Sequence, residues 1–352
     1  MDEKTPILPP PAVSNCQCRC RSDNKKKRVF KRIALFLIGL LALHAFSHRF
    51  QSFRSDWDDG VVSAQCYNGE APIQWEGKTS YDVDPAKFPN LSVVQNGSVT
   101  GGFVKTFTQS DDDLAHINVN IHFSEPYLQD QINIIIDDSE NGYNFTVETP
   151  KHLRRECINV EITIALPNSA QFNKLAISTI NSKIELLDDI TTEESISLQT
   201  INGSIHAEYV KTNELVVNTV NGGITIEKAD AHTVVFHSVN GAIHANVDAE
   251  KISAKTINGS IHLDNIGDGT AAAINTETVN GSTHVSAPKN FEGAFSLKTV
   301  YGKPNVFSQS KSDKLHIEKA RRNAMEGYYG SPVEDSYISS ETRMGSITMK
   351  FE

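Results

Sequence analysis

Most of this chain lacks any excess of basic charge. Up to Arg54 there are eleven Lys or Arg against three Asp or Glu, a net of +8; the remainder holds 22 basic and 40 acidic residues, a net of −18. A nucleic-acid binder carries its basic surface on the folded part, so no nucleic-acid partner is expected. Cysteine is scarce: Cys16, Cys18 and Cys20 lie close together, and Cys66 and Cys157 are the only later ones. Three thiols with no histidine nearby fall short of a four-ligand zinc site. Beyond the N-terminal tail there is no Walker-type loop, no G-x-S-x-G elbow and no Cys/His zinc spacing. No cofactor is predicted, no residue is assigned as catalytic, and a non-enzymatic binding or structural module becomes the default.

One long apolar run is present, Ile33 to Phe46, followed by Ser47 and His48 and bounded by Lys31, Arg32 and Arg49. As a helix it spans roughly 24 Å, short of a bilayer core of roughly 30 Å but extended by snorkelling Lys and Arg. A cleaved signal peptide is disfavoured by the thirty-two polar, Pro-containing residues ahead of it. Residues 29–50 are therefore predicted as a transmembrane signal anchor. Lys25, Lys26, Lys27, Arg28, Lys31 and Arg32 precede it, so the positive-inside rule keeps the N-terminus cytosolic and sends the C-terminus to a lumenal or extracellular side. That single-pass, type II topology agrees with N-x-S/T sequons at Asn90, Asn96, Asn144, Asn202, Asn258 and Asn280. It also permits a Cys66–Cys157 disulfide, whose proximity sequence does not show. Cys16, Cys18 and Cys20, on the cytosolic side, are candidates for S-acylation or are simply reduced thiols.

Residues 1–28 form a basic, Pro-rich tail unable to support a core, and 51–89 read as a stalk or linker without periodicity. Period-two alternation then begins: Ile117, Val119, Ile121 and Phe123, then Tyr143, Phe145 and Val147, then Val160, Ile162, Ile164 and Leu166. Residues 90–170 are predicted as irregular first coils or a β cap, because an open stack of strands exposes a bare edge.

From residue 171 to 352 a repeat surfaces. Thr179-Ile180-Asn181 is followed by Thr200-Ile201-Asn202-Gly203, Thr219-Val220-Asn221-Gly222, Ser238-Val239-Asn240-Gly241, Thr256-Ile257-Asn258-Gly259 and Thr278-Val279-Asn280-Gly281. Degenerate copies stand at Thr299-Val300-Tyr301-Gly302 and Thr342-Arg343-Met344-Gly345. Successive Asn positions are 21, 19, 19, 18 and 22 apart. Each copy is flanked by alternating pairs, such as Leu215 and Val217 before the corner and Ile224 and Ile226 after it. Helical spacing is absent. The predicted fold is all-β, a β-solenoid of about eight coils stacked parallel and in register over about 40 Å. The Gly is expected to supply a positive-φ corner, and the stacked Asn side chains an amide ladder.

The T-[I/V]-N-G-x-I repeat behind a single membrane anchor resembles the putative-adhesin family, β-solenoid domains of bacterial and fungal membrane proteins. The resemblance covers roughly residues 170 to 350 and extends back toward Leu91 through Val94-Gln95-Asn96-Gly97. It implies the solenoid fold and a surface role, and it carries over no catalytic residue.

Stacking turns equivalent positions into columns. His206, His244, His262 and His284 form one, interrupted at Thr225; it is either a solvated polar position or, at His244, His262 and His284, a metal-binding or pH-sensing row. Glu208, Glu227, Asn246 and Asp264 form a second. Two carboxylates roughly 5 Å apart would suit a retaining glycoside hydrolase, the main enzymatic alternative, although no aromatic sugar platform accompanies them. Ile180, Ile201, Val220, Val239, Ile257, Val279 and Val300 form a third, expected to be tucked inward by a bulged corner, or else to make an exposed partner-binding stripe. The partners expected are the membrane, through one helix, and a glycan or protein ligand that sequence does not name.

Overall fold

The computed structural model describes residues 71–109, 112–139, 142–168, 171–309, 312–333 and 335–351. The predicted tail, the 29–50 anchor, Cys16, Cys18, Cys20 and Cys66 lie outside the described residues. Among the described residues no helix is long and apolar enough to cross a membrane.

Each coil consists of a strand, a corner and a second strand, and each strand pairs in parallel with its equivalents above and below. The strand Ser195–Thr200 leads into the Asn202 corner and then into Ile205–Thr219, whose first half continues this coil and whose second half, Glu214 to Thr219, opens the next. Alternation produces the core directly. Ile196, Leu198, Leu215, Val217, Val234 and Phe236 before the corners, and Ile205, Ala207, Ile224, Ile226, Ile243 and Ala245 after them, are buried. At about 1.5–3 kcal/mol for each large aliphatic side chain, repeated every coil, this burial sets the register: a one-residue slip would expose an entire face.

Six consecutive coils run from Lys174 to Ser286. At both ends stacking order departs from chain order. The N-terminal side adds two coils, with Asn90–Asn96 and Gly101–Gln109 sandwiched between the first of the six and an outer coil, Gly142–Glu148 and Ile158–Pro167. On the C-terminal side, Tyr337–Met344 and Ile347–Phe351 insert between Ala273–Ser286 and the outermost coil, Gly293–Ser308. The described residues thus make ten coils, about 45 Å of stack at roughly 4.8 Å each, where the repeat alone indicated eight.

Antiparallel strands close both ends. Ala115–Phe123 lies on Ile158–Pro167 and Asn133–Ser139 on Gly142–Glu148, while Ala324–Tyr329 covers Gly293–Tyr301 and carries Leu315–Arg321 outside it. Ile73–Gln74 and Ser80–Val83, within the segment expected to be a stalk, pair with Ala115–Phe123 and bury Tyr81 and Val83. The peripheral strands Asn133–Ser139 and Leu315–Arg321 are largely exposed and bear Asp137, Asp138, Glu318, Lys319 and Arg321. Charge on an edge strand blunts pairing with further chains. Residues 90–168 thus supply two coils and the antiparallel strands that cover them.

The corners hold the repeat together. The Thr or Ser that opens each motif points inward. Thr219 Oγ1 donates to the Gly203 carbonyl at 3.1 Å, Ser238 Oγ to Gly222 at 3.2 Å, Thr256 Oγ1 to Gly241 at 2.9 Å and Thr278 Oγ1 to Gly259 at 2.8 Å. The same hydroxyls of Thr219 and Ser238 accept the N–H of their own corner glycine. Each therefore closes its own turn and ties it to the preceding coil.

The glycine is required for a different reason than expected. Gly203, Gly222, Gly241, Gly259 and Gly281 are not among the positive-φ residues. A Cβ on Gly222 would instead lie 1.7 Å from the carbonyl oxygen of Gly203, and one on Gly241 would lie 1.8 Å from that of Gly222. Close approach of stacked backbones excludes a side chain there. Adjacent Gly223 has nothing nearer its Cβ position than the Ala242 oxygen at 3.6 Å. Gly222→Ala is accordingly expected to destabilise the protein by about 3 kcal/mol or more, and Gly223→Ala by under about 1 kcal/mol, as read from urea unfolding midpoints. Equal effects would contradict the stacking argument.

Candidate functional site

Outward positions of the second strand in each coil align by backbone pairing: Glu185 with His206, His206 with Thr225, Thr225 with His244, His244 with His262, and His262 with His284. The predicted histidine column therefore exists, broken at Thr225. Its lower three rings stack, with centroids 5.8 Å apart for His244 and His262 and 4.6 Å apart, nearly parallel, for His262 and His284. Burial of the His284 ring, reinforced by the neighbouring His262, lowers its pKa from the usual 6.5, while Asp264 works the other way.

The neighbouring column enters this row. Asn246 pairs with Asp264, and Asp264 with Ser286. Asp264 Oδ2 lies 3.2 Å from His262 Nε2, and Ser286 Oγ donates to Asp264 Oδ1. Asn246 turns away, its Nδ2 donating to the Glu227 carbonyl at 3.0 Å. His262, Asp264 and His284 together present three ligand atoms all within 4.8 Å of one another. Sequence reasoning named the three histidines as the possible metal row; the structure replaces His244 with Asp264. The signal was present, since Asp264 had been placed in the adjacent outward column, but the join between columns needs side-chain directions.

Glu208 and Glu227, the carboxylates of the hydrolase alternative, are both exposed. Their two strands pair in register, and the shift comes one coil later, between the Glu227 strand and Ile243–Asp248, at Ile226 to Ala229. A cavity of about 260 Å³ lies elsewhere, at the far bend, lined by Asp230, His232, Asp248, Glu250 and Asn265 among others.

The Asn ladder is continuous. Asn202 donates from Nδ2 to Asn181 Oδ1, Asn221 to Asn202, Asn240 to Asn221, Asn258 to Asn240 and Asn280 to Asn258, at 2.5 to 2.8 Å. It ends where Met344 and Tyr301 occupy the corner. Three sequon residues, Asn202, Asn258 and Asn280, sit in this ladder and use the atom that a glycan would occupy. Asn90, Asn96 and Asn144 lie outside it and are half-buried.

The β-branched column is not tucked into the core. Ile180, Ile201, Val220, Val239, Ile257 and Val279 stay on the outer side, half-buried, and Val300 is exposed. The alternation of the incoming strand persists as far as the Thr or Ser, whose hydroxyl is bonded inside, and so leaves the following Ile or Val outside. Cys157 is buried and disulfide-bonded, its partner lying outside the described residues.

A separate titratable cluster braces the N-terminal cap. His116 Nδ1 lies 2.7 Å from Asp82 Oδ1, and Nε2 lies 2.9 Å from Asp112 Oδ2. The Asp82 hydrogen bond is the main reason its pKa is raised above 6.5; partial burial opposes it and Asp112 adds to it.

Residues 105–328 match the sequence profile of the Toastrack DUF4097 family. The chain belongs to this family. The resemblance drawn from the repeats is thereby borne out, and the Toastrack match spans the six consecutive coils while stopping short of the inserted strands Tyr337–Met344 and Ile347–Phe351. Among solved structures, the chain is similar to a putative adhesin from Parabacteroides merdae ATCC 43184, at 11% identity over 79% of this chain and 98% of that one, with a TM-score of 0.44. It is also similar to a putative adhesin from Parabacteroides distasonis ATCC 8503, at 14% identity over 78% and 98%, with a TM-score of 0.44. A putative adhesin from Bacteroides fragilis NCTC 9343 shows 14% identity over 78% and 96%, with a TM-score of 0.40. No curated protein matches the chain.

Because the His116 pKa is higher in the folded state, its stabilisation of this Toastrack cap is complete below the ordinary value of about 6.5 and is lost as pH rises through the folded value. A nuclear magnetic resonance titration should place the His116 midpoint above 6.5, and Asp82→Asn should lower it. A midpoint at or below 6.5 would contradict the contact.

Proposed function

We propose that this protein is a non-enzymatic, adhesin-like display module. In this reading a helix at 29–50 holds it in a membrane with the N-terminus cytosolic. The rigid, acidic solenoid stands on the lumenal or extracellular side, glycosylated at sequons outside the Asn ladder, where it binds a glycan or protein ligand. S-acylation of Cys16, Cys18 and Cys20 would add a second membrane attachment on the cytosolic face.

One observation carries the reading. Outward positions of successive coils form polar columns, three rings long at His244, His262 and His284 and six side chains long in the ladder from Asn181 to Asn280, at the roughly 4.8 Å spacing of a sheet. Such a surface repeats one chemical group along a line, which suits recognition of an extended or repetitive partner through many weak contacts. A reaction centre asks instead for unlike groups converging on one concave place. Glu208 and Glu227 lie outside the cavity lined by Asp230, His232, Asp248 and Glu250.

The full chain, purified in detergent, should be retained on a glycan or protein array without consuming what it binds, and Glu208→Gln and Glu227→Gln should leave retention unchanged. Release of reducing sugar ends that disappears in either variant would overturn the non-enzymatic reading. In sealed membranes, the solenoid should resist protease added from the cytosolic side; its digestion there would overturn the topology.

A further inference from the structure

We propose that His262, Asp264 and His284 form a surface site for one divalent transition-metal ion of the zinc class. The inference does not depend on the display reading, since it rests on three side chains that two adjacent coils bring together.

Two imidazoles and one carboxylate make a donor set suited to zinc and its neighbours, and three protein ligands with one open position is the arrangement of an accessible zinc centre. The geometry is close to assembled. His262 Nε2 and Asp264 Oδ2 are 3.2 Å apart, which is about the separation of two ligands on one tetrahedral ion with bonds near 2.0 to 2.2 Å. The third ligand atom, from His284, lies within 4.8 Å of both. The rings of His262 and His284 lie stacked at 4.6 Å, so ligation requires them to tilt out of the stack until both in-plane lone pairs meet at one ion.

The backbone fixes this proximity. His262 pairs directly with His284, and Asp264 with Ser286, in adjacent parallel strands. Ser286, which is buried, donates to the Asp264 oxygen that does not face His262, the kind of outer hydrogen bond that orients a ligating carboxylate. His244 flanks the site by stacking on His262, at a greater ring separation than His284, and Asn246 is committed to the Glu227 carbonyl. Both are therefore outside the ligand set. A bound ion would cross-link the coils at 261–265 and 283–286 and leave one position facing solvent, open to water or to a donor from a partner.

The test uses the full chain without a polyhistidine tag, with serine at 16, 18 and 20 so that those thiols do not compete, and zinc chloride alone as the probe. Calorimetry should show one zinc ion per chain, and a thermal midpoint that rises with zinc concentration. His284→Gln and Asp264→Asn should each weaken binding at least tenfold and abolish the thermal shift, whereas His244→Asn and His206→Asn should change affinity by less than about twofold. No heat, or equal affinity in all four variants, would overturn the proposal. If a variant loses its strand circular dichroism, cobalt(II) added to the chain with 262, 264 and 284 intact decides: visible bands of a nitrogen- and oxygen-bound ion are expected, and their absence at saturating cobalt would overturn it.

Discussion

Everything in this structure depends on parallel coils lying in register at sheet spacing. That single repeat distance of roughly 4.8 Å sets what each corner position must be. The glycine is bare because the carbonyl of the preceding glycine occupies the place of its side chain. The Thr or Ser faces inward because its hydroxyl bonds that same carbonyl. The Asn faces outward because its amide reaches exactly one neighbour on each side. Three residue types that look like a turn motif are three answers to one stacking constraint.

The same constraint produces the surface. A stack in register cannot vary its outer face freely, since whatever one coil presents lies beside what the next presents. Columns of histidine, asparagine and half-buried valine or isoleucine follow from repetition alone. The exception is local. Where Asp264 replaces the asparagine of the coil before and Ser286 follows it, the column changes chemistry within one sheet spacing and unlike groups converge.

Much of this was legible in the sequence. Alternation at Leu215 and Val217 or Ile224 and Ile226 identifies the inward face, and the spacing of the Asn-Gly corners identifies the stack and the histidine column. Chain order was a poor guide at the ends. The Thr342-Arg343-Met344-Gly345 copy reads as a last coil, yet it stacks directly on Gly281 beneath the Gly302 coil. Nothing in a strand's own pattern states which edge it joins, because all inward faces present similar aliphatic residues. The valine and isoleucine column misled for a related reason. Hydrophobicity argued for burial, whereas the hydroxyl beside it had the stronger claim on the interior, through hydrogen bonds that only the stacked backbone reveals.

The most direct measurement of the stacking claim is a double-mutant cycle along the ladder. Asn221→Ala and Asn240→Ala alter side chains joined by one amide hydrogen bond, whereas Asn221→Ala and Asn258→Ala alter side chains separated by an intervening coil. In unfolding free energies the adjacent pair should couple by about 0.5 kcal/mol or more, and the separated pair should be additive to within about 0.3 kcal/mol. Additivity in the adjacent pair, or equal coupling in both, would mean that the corners are not stacked in this order.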